Sequence, residues 1–320
     1  MRRLLKVLGW FFLFVFILLN VISAFNAYYI THFFEPGTVK EVEFSKLSPG
    51  GKIKYIVFGQ KFNKSTLVPP PPIAHTDLTL TTDDGVKLAA WYFKHPSADT
   101  IRGTVCAFHG QRASRGGMAD EIRVFYNAGW NVFTIDFRGQ AESEGYVTYF
   151  GMREVNDIKA AYDYVESAGE KNIAFYGHSL GGATEIRATG LFGLKPSKII
   201  CDAAFGSMMN AVEGRCRMMR APPEPFGVLV TFWMSVEEGH WQFNNANWKY
   251  GKNIYCPVLI ERGAEDHRVT EKESQQVLES LSSKEKRIMH YPKCGHESYY
   301  AKLPDLWSKT VIDFLNEPVK

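Results

Sequence analysis

The chain has 320 residues, 45% hydrophobic and 22% charged, with a formal net charge of +3. That is ample for a sizeable core, and the charges are mixed, without the basic stripe that holds nucleic acid. Five cysteines, at positions 106, 201, 216, 256 and 294, include no CxxC pair and match neither a zinc site nor a disulfide framework. Cys106, Cys201 and Cys256 lie in or beside apolar runs and read as small buried hydrophobes.

The first thirty residues read as a membrane element. Arg2, Arg3 and Lys6 precede an apolar run that starts at Val7 and extends, through Asn20 and Ser23, to about Ala27. A spanning helix needs roughly 20 apolar residues, and Tyr28 and Tyr29 suit the interface at its far end. Basic residues ahead of the span predict a single-pass anchor, N-terminus cytoplasmic and the rest of the chain on the far side. The alternative is a signal peptide cut near Ile22-Ser23-Ala24, giving a secreted or periplasmic product. The reverse orientation also stays open.

Residues 31–74 form a membrane-proximal segment. EVEFSKL and KIKYIVFG read as short strands or as a piece packing the domain near the membrane. The four prolines of STLVPPPPIAH predict a stiff spacer, with the domain boundary there.

From His75 the pattern becomes regular. HTDLTLTTDDGVKLAAWYFKH reads as two strands joined through Asp83-Asp84-Gly85. Strands follow at GTVCAFHG, WNVFTIDFRG, NIAFYGHS, KIICDAAF, YCPVLIERG and KRIMHYP. Helical spacing marks MADEIRVFYNAG, EVNDIKAAYDYVES, residues 180–191, TEKESQQVLESL and DLWSKTVIDFLN. Alternating strands and helices imply an α/β domain over 75–320, its mainly parallel sheet covered by helices on both faces. Residues 207–250 break the alternation with a Met-, Phe- and Trp-rich stretch too long for an ordinary connection, and read as an inserted cap.

Gly177-His178-Ser179-Leu180-Gly181 matches G-x-S-x-G between a strand and a helix, the context in which a sharp turn projects a serine nucleophile. Such a serine needs a base, and the base an orienting carboxylate, here in the chain order Ser, acid, His. Asp266 and His296 lie in turns just after strands, on the sheet edge expected for Ser179. Glu265 is the rival acid, and His267 and His290 are rival bases. The oxyanion donors fall to the backbone N–H groups of Leu180, just after the nucleophile, and Gln111, in the loop after GTVCAFHG. His109 reads as structural.

CAFHGQ, TIDFRGQAESEG, IAFYGHSLGG, LIERGAEDHRV and CGHES together resemble the serine branch of the α/β-hydrolase superfamily over roughly residues 75–318. The resemblance implies an α/β-hydrolase fold and an esterase, lipase or thioesterase type of activity, with no metal and no cofactor. Asp136-Phe137-Arg138-Gly139-Gln140-Ala141-Glu142-Ser143 departs from the family's D-x-R-G-x-G-x-S only at Ala141. Serine at 179 excludes the haloalkane- and epoxide-type chemistries, which place aspartate there. The expected substrate is a small or lipid ester or thioester with an apolar acyl chain, lined in the cap by Met208, Phe226, Phe232, Trp233 and Trp241, with Met209, Met218 and Met219 nearby. Two rivals remain: a peptidase of the same fold, its substrate's N-terminus held by Glu213, Glu237 or Glu238, and a non-catalytic binding protein.

Overall fold

The computed structural model describes residues 1–96 and 101–318; residues 97–100 and 319–320, which fall in the expected 75–320 domain, lie outside the described residues. Helix α1 runs from Arg2 to Thr31, about 45 Å at 1.5 Å per residue. Most of its N-terminal half is exposed, whereas Asn20 meets Trp233 of the body and Ser23, Ala27, Ile30 and Thr31 are buried.

The stretch after α1 is mostly not the strands its composition suggests. Phe33–Phe34 (β1) pairs in parallel with Phe62–Asn63 (β2). KIKYIVF lies in a helix, α2 (Pro49–Phe58), and Phe44–Lys46 is a single 3-10 turn. The β-branched and aromatic content of α2 favours a strand. Local signals override it: the Ser48 hydroxyl accepts from the Gly51 amide, and Pro49 fills a first-turn position that needs no N–H. Docking on α1 completes the case, with Asn26 Nδ2 donating to the Ile56 carbonyl at 2.9 Å.

The expected spacer is laid onto the body. The Ser65 hydroxyl donates to the Ala113 carbonyl at 2.7 Å and accepts from the Ala141 amide, and the Val68 amide donates to Ser114.

The body is an eight-stranded sheet in the order β10-β9-β8-β7-β5-β6-β4-β3. Its strands are β3 (Thr76–Thr81), β4 (Lys87–Phe93), β5 (Thr104–Phe108), β6 (Asn131–Ile135), β7 (Ile173–His178), β8 (Lys198–Asp202), β9 (Val258–Gly263) and β10 (Lys286–Tyr291). β3 and β4 are antiparallel; β5 to β10 run parallel. Alternate residues feed opposite faces: Cys106, Phe108 and Phe175 pack with α4 (Val155–Ser167) and α5 (Leu180–Phe192). Val105, Ala107 and Tyr176 pack with α3 (Ala119–Asn127) and α10 (Pro304–Asn316). α8 (Glu271–Ser280) and the short α9 (Tyr299–Lys302) complete the body. Cys106 and Cys201 are fully buried, Cys256 partly so, and all five thiols are free.

The segment between β8 and β9 holds α6 (Met208–Met218) and α7 (Phe226–Glu238), followed by 3-10 turns. α7 packs along α1 and against α6.

Candidate active site

Parallel strands carry their following loops to one edge, so the turns after β5, β7, β9 and β10 meet at the C-terminal end of the sheet. Ser179 stands there at φ +51° and ψ −103°, a backbone strain of about 1–3 kcal/mol for a residue with a Cβ. The surroundings hold the turn closed: the Ser179 amide donates to the Asp202 carbonyl at 2.7 Å. The glycines are required by proximity, since a Cβ on Gly177 would overlap the backbone of Gly181 and one on Gly181 would overlap the Phe108 carbonyl.

Three of the expected residues form one hydrogen-bonded line. Ser179 Oγ lies 3.0 Å from His296 Nε2, and His296 Nδ1 lies 2.9 Å from Asp266 Oδ2. The other oxygen of Asp266 accepts from the amides of Arg268 (2.7 Å) and Val269 (3.0 Å), which fixes the carboxylate in its turn. Burial lowers the His296 pKa from its ordinary value, more than the hydrogen bond to Asp266 raises it. Burial acts to raise Asp266, but its bond to His296 and the loop amides outweigh this and hold the carboxyl below its ordinary value. Hence the imidazole is neutral and the carboxylate charged at neutral pH, the states a general base and its orienting group need.

The rivals are elsewhere. Glu265 and His267 are exposed, and His290 pairs with Glu271 at 2.9 Å along the edge strand. His109 is fully buried: its Nε2 accepts from the Phe137 amide and its Nδ1 bonds the Gly110 carbonyl, which braces the loop that presents Gln111. The Gln111 side chain donates to the Ile30 carbonyl at the end of α1 at 3.0 Å. Among the described residues neither the Gln111 nor the Leu180 backbone N–H has a protein acceptor, and both residues line the same cleft as Ser179.

That narrow cleft is also lined by Ile30, Phe150, Phe205, Met208, Val212, Arg215 and Arg268. Of the cap residues expected to line it, only Met208 does so. Phe226 and Met219 line an adjoining apolar cavity. Trp233 turns toward α1 and donates its indole N–H to Asn20 at 3.1 Å. Phe232, Trp241 and Met218 are exposed, and Met209 is half-buried away from the cleft. The physical reason is the neighbour: α7 packs on α1 and α6, which turns Trp233 toward α1 and leaves Phe232 in solvent, so neither reaches the serine. The sequence reading missed Ile30, Arg215 and Arg268. Arg268 alone carried a signal, two residues beyond Asp266 in the same turn.

Comparison with known proteins agrees with this architecture. A family model described as "Serine aminopeptidase, S33" matches residues 99–235. YfhR of Salmonella typhimurium is 30% identical over 265 residues, covering 77% of this chain and 83% of that protein. The α/β-hydrolase domain-containing protein WAV2 of Arabidopsis thaliana is 24% identical over 288 residues, covering 83% and 87%. Among solved structures, the Pyrococcus furiosus esterase Pf2001 superposes with a TM-score of 0.64 at 22% identity, covering 78% of this chain and 98% of that one. A serine on a strand-to-helix elbow, facing a histidine and an aspartate at the C-terminal edge of this sheet, and a curated relative at this level of identity lead to one conclusion: the chain belongs to the α/β-hydrolase superfamily.

Proposed function

We propose that the chain is a serine hydrolase that cleaves carboxylic esters or thioesters through an acyl-enzyme. The carrying observation is the Ser179–His296–Asp266 line beside two unengaged amides in one cleft. Ser179 Oγ attacks the carbonyl carbon and gives its proton to His296 Nε2. The Leu180 and Gln111 amides hold the oxyanion. The acyl–oxygen or acyl–sulfur bond breaks as His296 protonates the leaving group. Water then gives a proton to His296, attacks the acyl carbon and frees the acid, and the proton returns to Ser179.

The peptidase alternative is favoured by the description of the matching family model. The electrostatics of the cleft argue against it. Glu213 pairs with Arg217, Glu238 bonds Gln242, and Glu237 lies in a groove beside α1. No carboxylate lines the cleft among the described residues, whereas Arg215 and Arg268 do, and two cations repel a substrate's ammonium group.

α1 is read as a single-pass anchor with its N-terminus cytoplasmic and the hydrolase domain on the far side. It is long and apolar enough to cross a bilayer. A cut after Ala24 would remove Ser23 and Asn20, which are built into the body contact. The exposed Val228, Phe232 and Val236 give α7 an apolar stripe at helical spacing next to the anchor.

The test is turnover of p-nitrophenyl esters and thioesters of increasing chain length against aminoacyl anilides, with wild type and Ser179→Ala. Ester or thioester turnover that Ser179→Ala abolishes is expected. Faster anilide turnover would replace this reading with the peptidase.

A further inference from the structure

The cleft at Ser179 contains charge that the ester mechanism does not use. Arg215 projects from α6 and Arg268 from the turn that carries Asp266, and both line the cleft. The Arg268 guanidinium has no hydrogen-bond or ion-pair partner among the described residues; burial and the neighbouring Arg215 pull its pKa down to about 10, which leaves it charged at neutral pH. Among the described residues Arg215 donates only to the Tyr55 hydroxyl, at 2.8 Å; its guanidinium lies over the Tyr55 and Phe62 rings at 5.8 and 5.3 Å, and its Nε is buried without a hydrogen-bond partner.

The nearby acids are committed elsewhere. Asp266 holds His296, Glu41 pairs with Arg112, and Glu213 and Glu273 pair with Arg217. Neither guanidinium has an ion-paired carboxylate among the described residues: the Asp266 charge acts on Arg268, but that carboxylate is bonded to His296, which leaves donors in the cleft for an anion.

The second observation is the space next to them. An apolar crevice lies between α1, α2, α6 and α7, lined by Asn26, Ile56, Cys216, Met219, Phe226 and Val230. Ile30, Val212 and Arg215 line both this cavity and the cleft, so the two adjoin with Arg215 at the junction. We propose that Arg215 and Arg268 form an oxyanion-binding subsite, and that the ester cleaved at Ser179 carries a phosphate or carboxylate on its alcohol side and an acyl chain that lies in the adjoining cavity. This rests on the serine-hydrolase reading and names its substrate class as an anionic amphiphile. The membrane helix is then one wall of the acyl passage, through Asn26 and Ile30.

The full chain in neutral detergent micelles is given a monododecanoyl glycerol and the matching monododecanoyl glycerophosphate. The expected result is a kcat/KM about tenfold or more higher for the phosphate-bearing ester. Arg268→Gln and, separately, Arg215→Gln are expected to lower that ratio by about 10- to 100-fold, the value of a charge-assisted bond, and Arg268→Lys to restore part of it. A ratio near one in wild type, or one unmoved by both glutamine variants, overturns the proposal. Because a ratio is read, general damage to the site cancels.

Fluorophosphonate labelling of Ser179 in the same preparations separates the two levels. No labelling of folded wild type removes the hydrolase reading and this proposal with it. Labelling without anionic preference removes only this proposal. Inhibition by inorganic phosphate is compared with inhibition by dodecyl phosphate. Loss of either in Arg268→Gln supports the subsite: phosphate alone identifies a free oxyanion as sufficient, and dodecyl phosphate alone identifies a headgroup with its chain.

Discussion

Replacing Asp266 by asparagine tests the proposed roles with the least disturbance to the fold. One oxygen of Asp266 accepts from the Arg268 and Val269 amides, and an asparagine oxygen can keep those bonds. The other position faces His296 Nδ1 at 2.9 Å and becomes an NH2 donor. The imidazole must then accept at Nδ1 and carry its proton on Nε2. That nitrogen is the one 3.0 Å from Ser179 Oγ, so it can no longer take the serine proton. The expected loss in kcat is about 10,000-fold, or about 5.4 kcal/mol of transition-state stabilisation. The assay is steady-state hydrolysis of p-nitrophenyl butyrate by the full chain in detergent, with thermal melting as the fold control. A loss below tenfold in a folded variant would refute the assignment of Asp266 and His296.

Other expectations follow from the same geometry. Since burial lowers His296 and the base works in its neutral form, activity is lost as pH falls through a midpoint below 6.5; an acid limb centred above pH 7 in kcat/KM would contradict this. Gly181→Ala forces a Cβ into the Phe108 backbone and is expected to cost about 1–3 kcal/mol in urea unfolding, together with most of the activity. Ala141 sits at φ +41°, a left-handed conformation that glycine adopts without a Cβ clash, so Ala141→Gly is expected to raise unfolding free energy by about 0.5–1 kcal/mol, strain relief exceeding the added chain entropy. Ile30→Ala removes a buried side chain from the seam between α1 and the body, and is expected to lower stability by about 2–4 kcal/mol, read from urea unfolding in detergent.

The alternating strands and helices from Thr76 onward were legible because each strand is a short apolar run bounded by turn residues and each helix keeps one apolar stripe. The meeting of Ser179, Asp266 and His296 was legible because each stands in the turn that follows a strand, and parallel strands bring such turns to one edge. Gln111 followed from the same rule. The cap was visible as an interruption, but its side-chain directions were not. Phe232, Trp233 and Trp241 have the composition of a pocket, yet Phe232 and Trp241 are exposed and Trp233 is turned to α1, which lies about 200 positions away in sequence. α2 escaped because Lys54-Tyr55-Ile56-Val57-Phe58 favours a strand in isolation, while its cap and its contact with α1 decide otherwise. Ile30 escaped for the same reason: nothing in an apolar run marks which side chain reaches the cleft at Ser179.

The central claim is that Ser179 is an activated nucleophile. The most direct measurement treats the full chain, folded in detergent, with a fluorophosphonate and locates the adduct by peptide mass spectrometry. The expected result is a single modified peptide carrying the label on Ser179, absent in Ser179→Ala and strongly slowed in His296→Ala. No adduct in folded protein, or an adduct on a different residue that persists in Ser179→Ala, would contradict it.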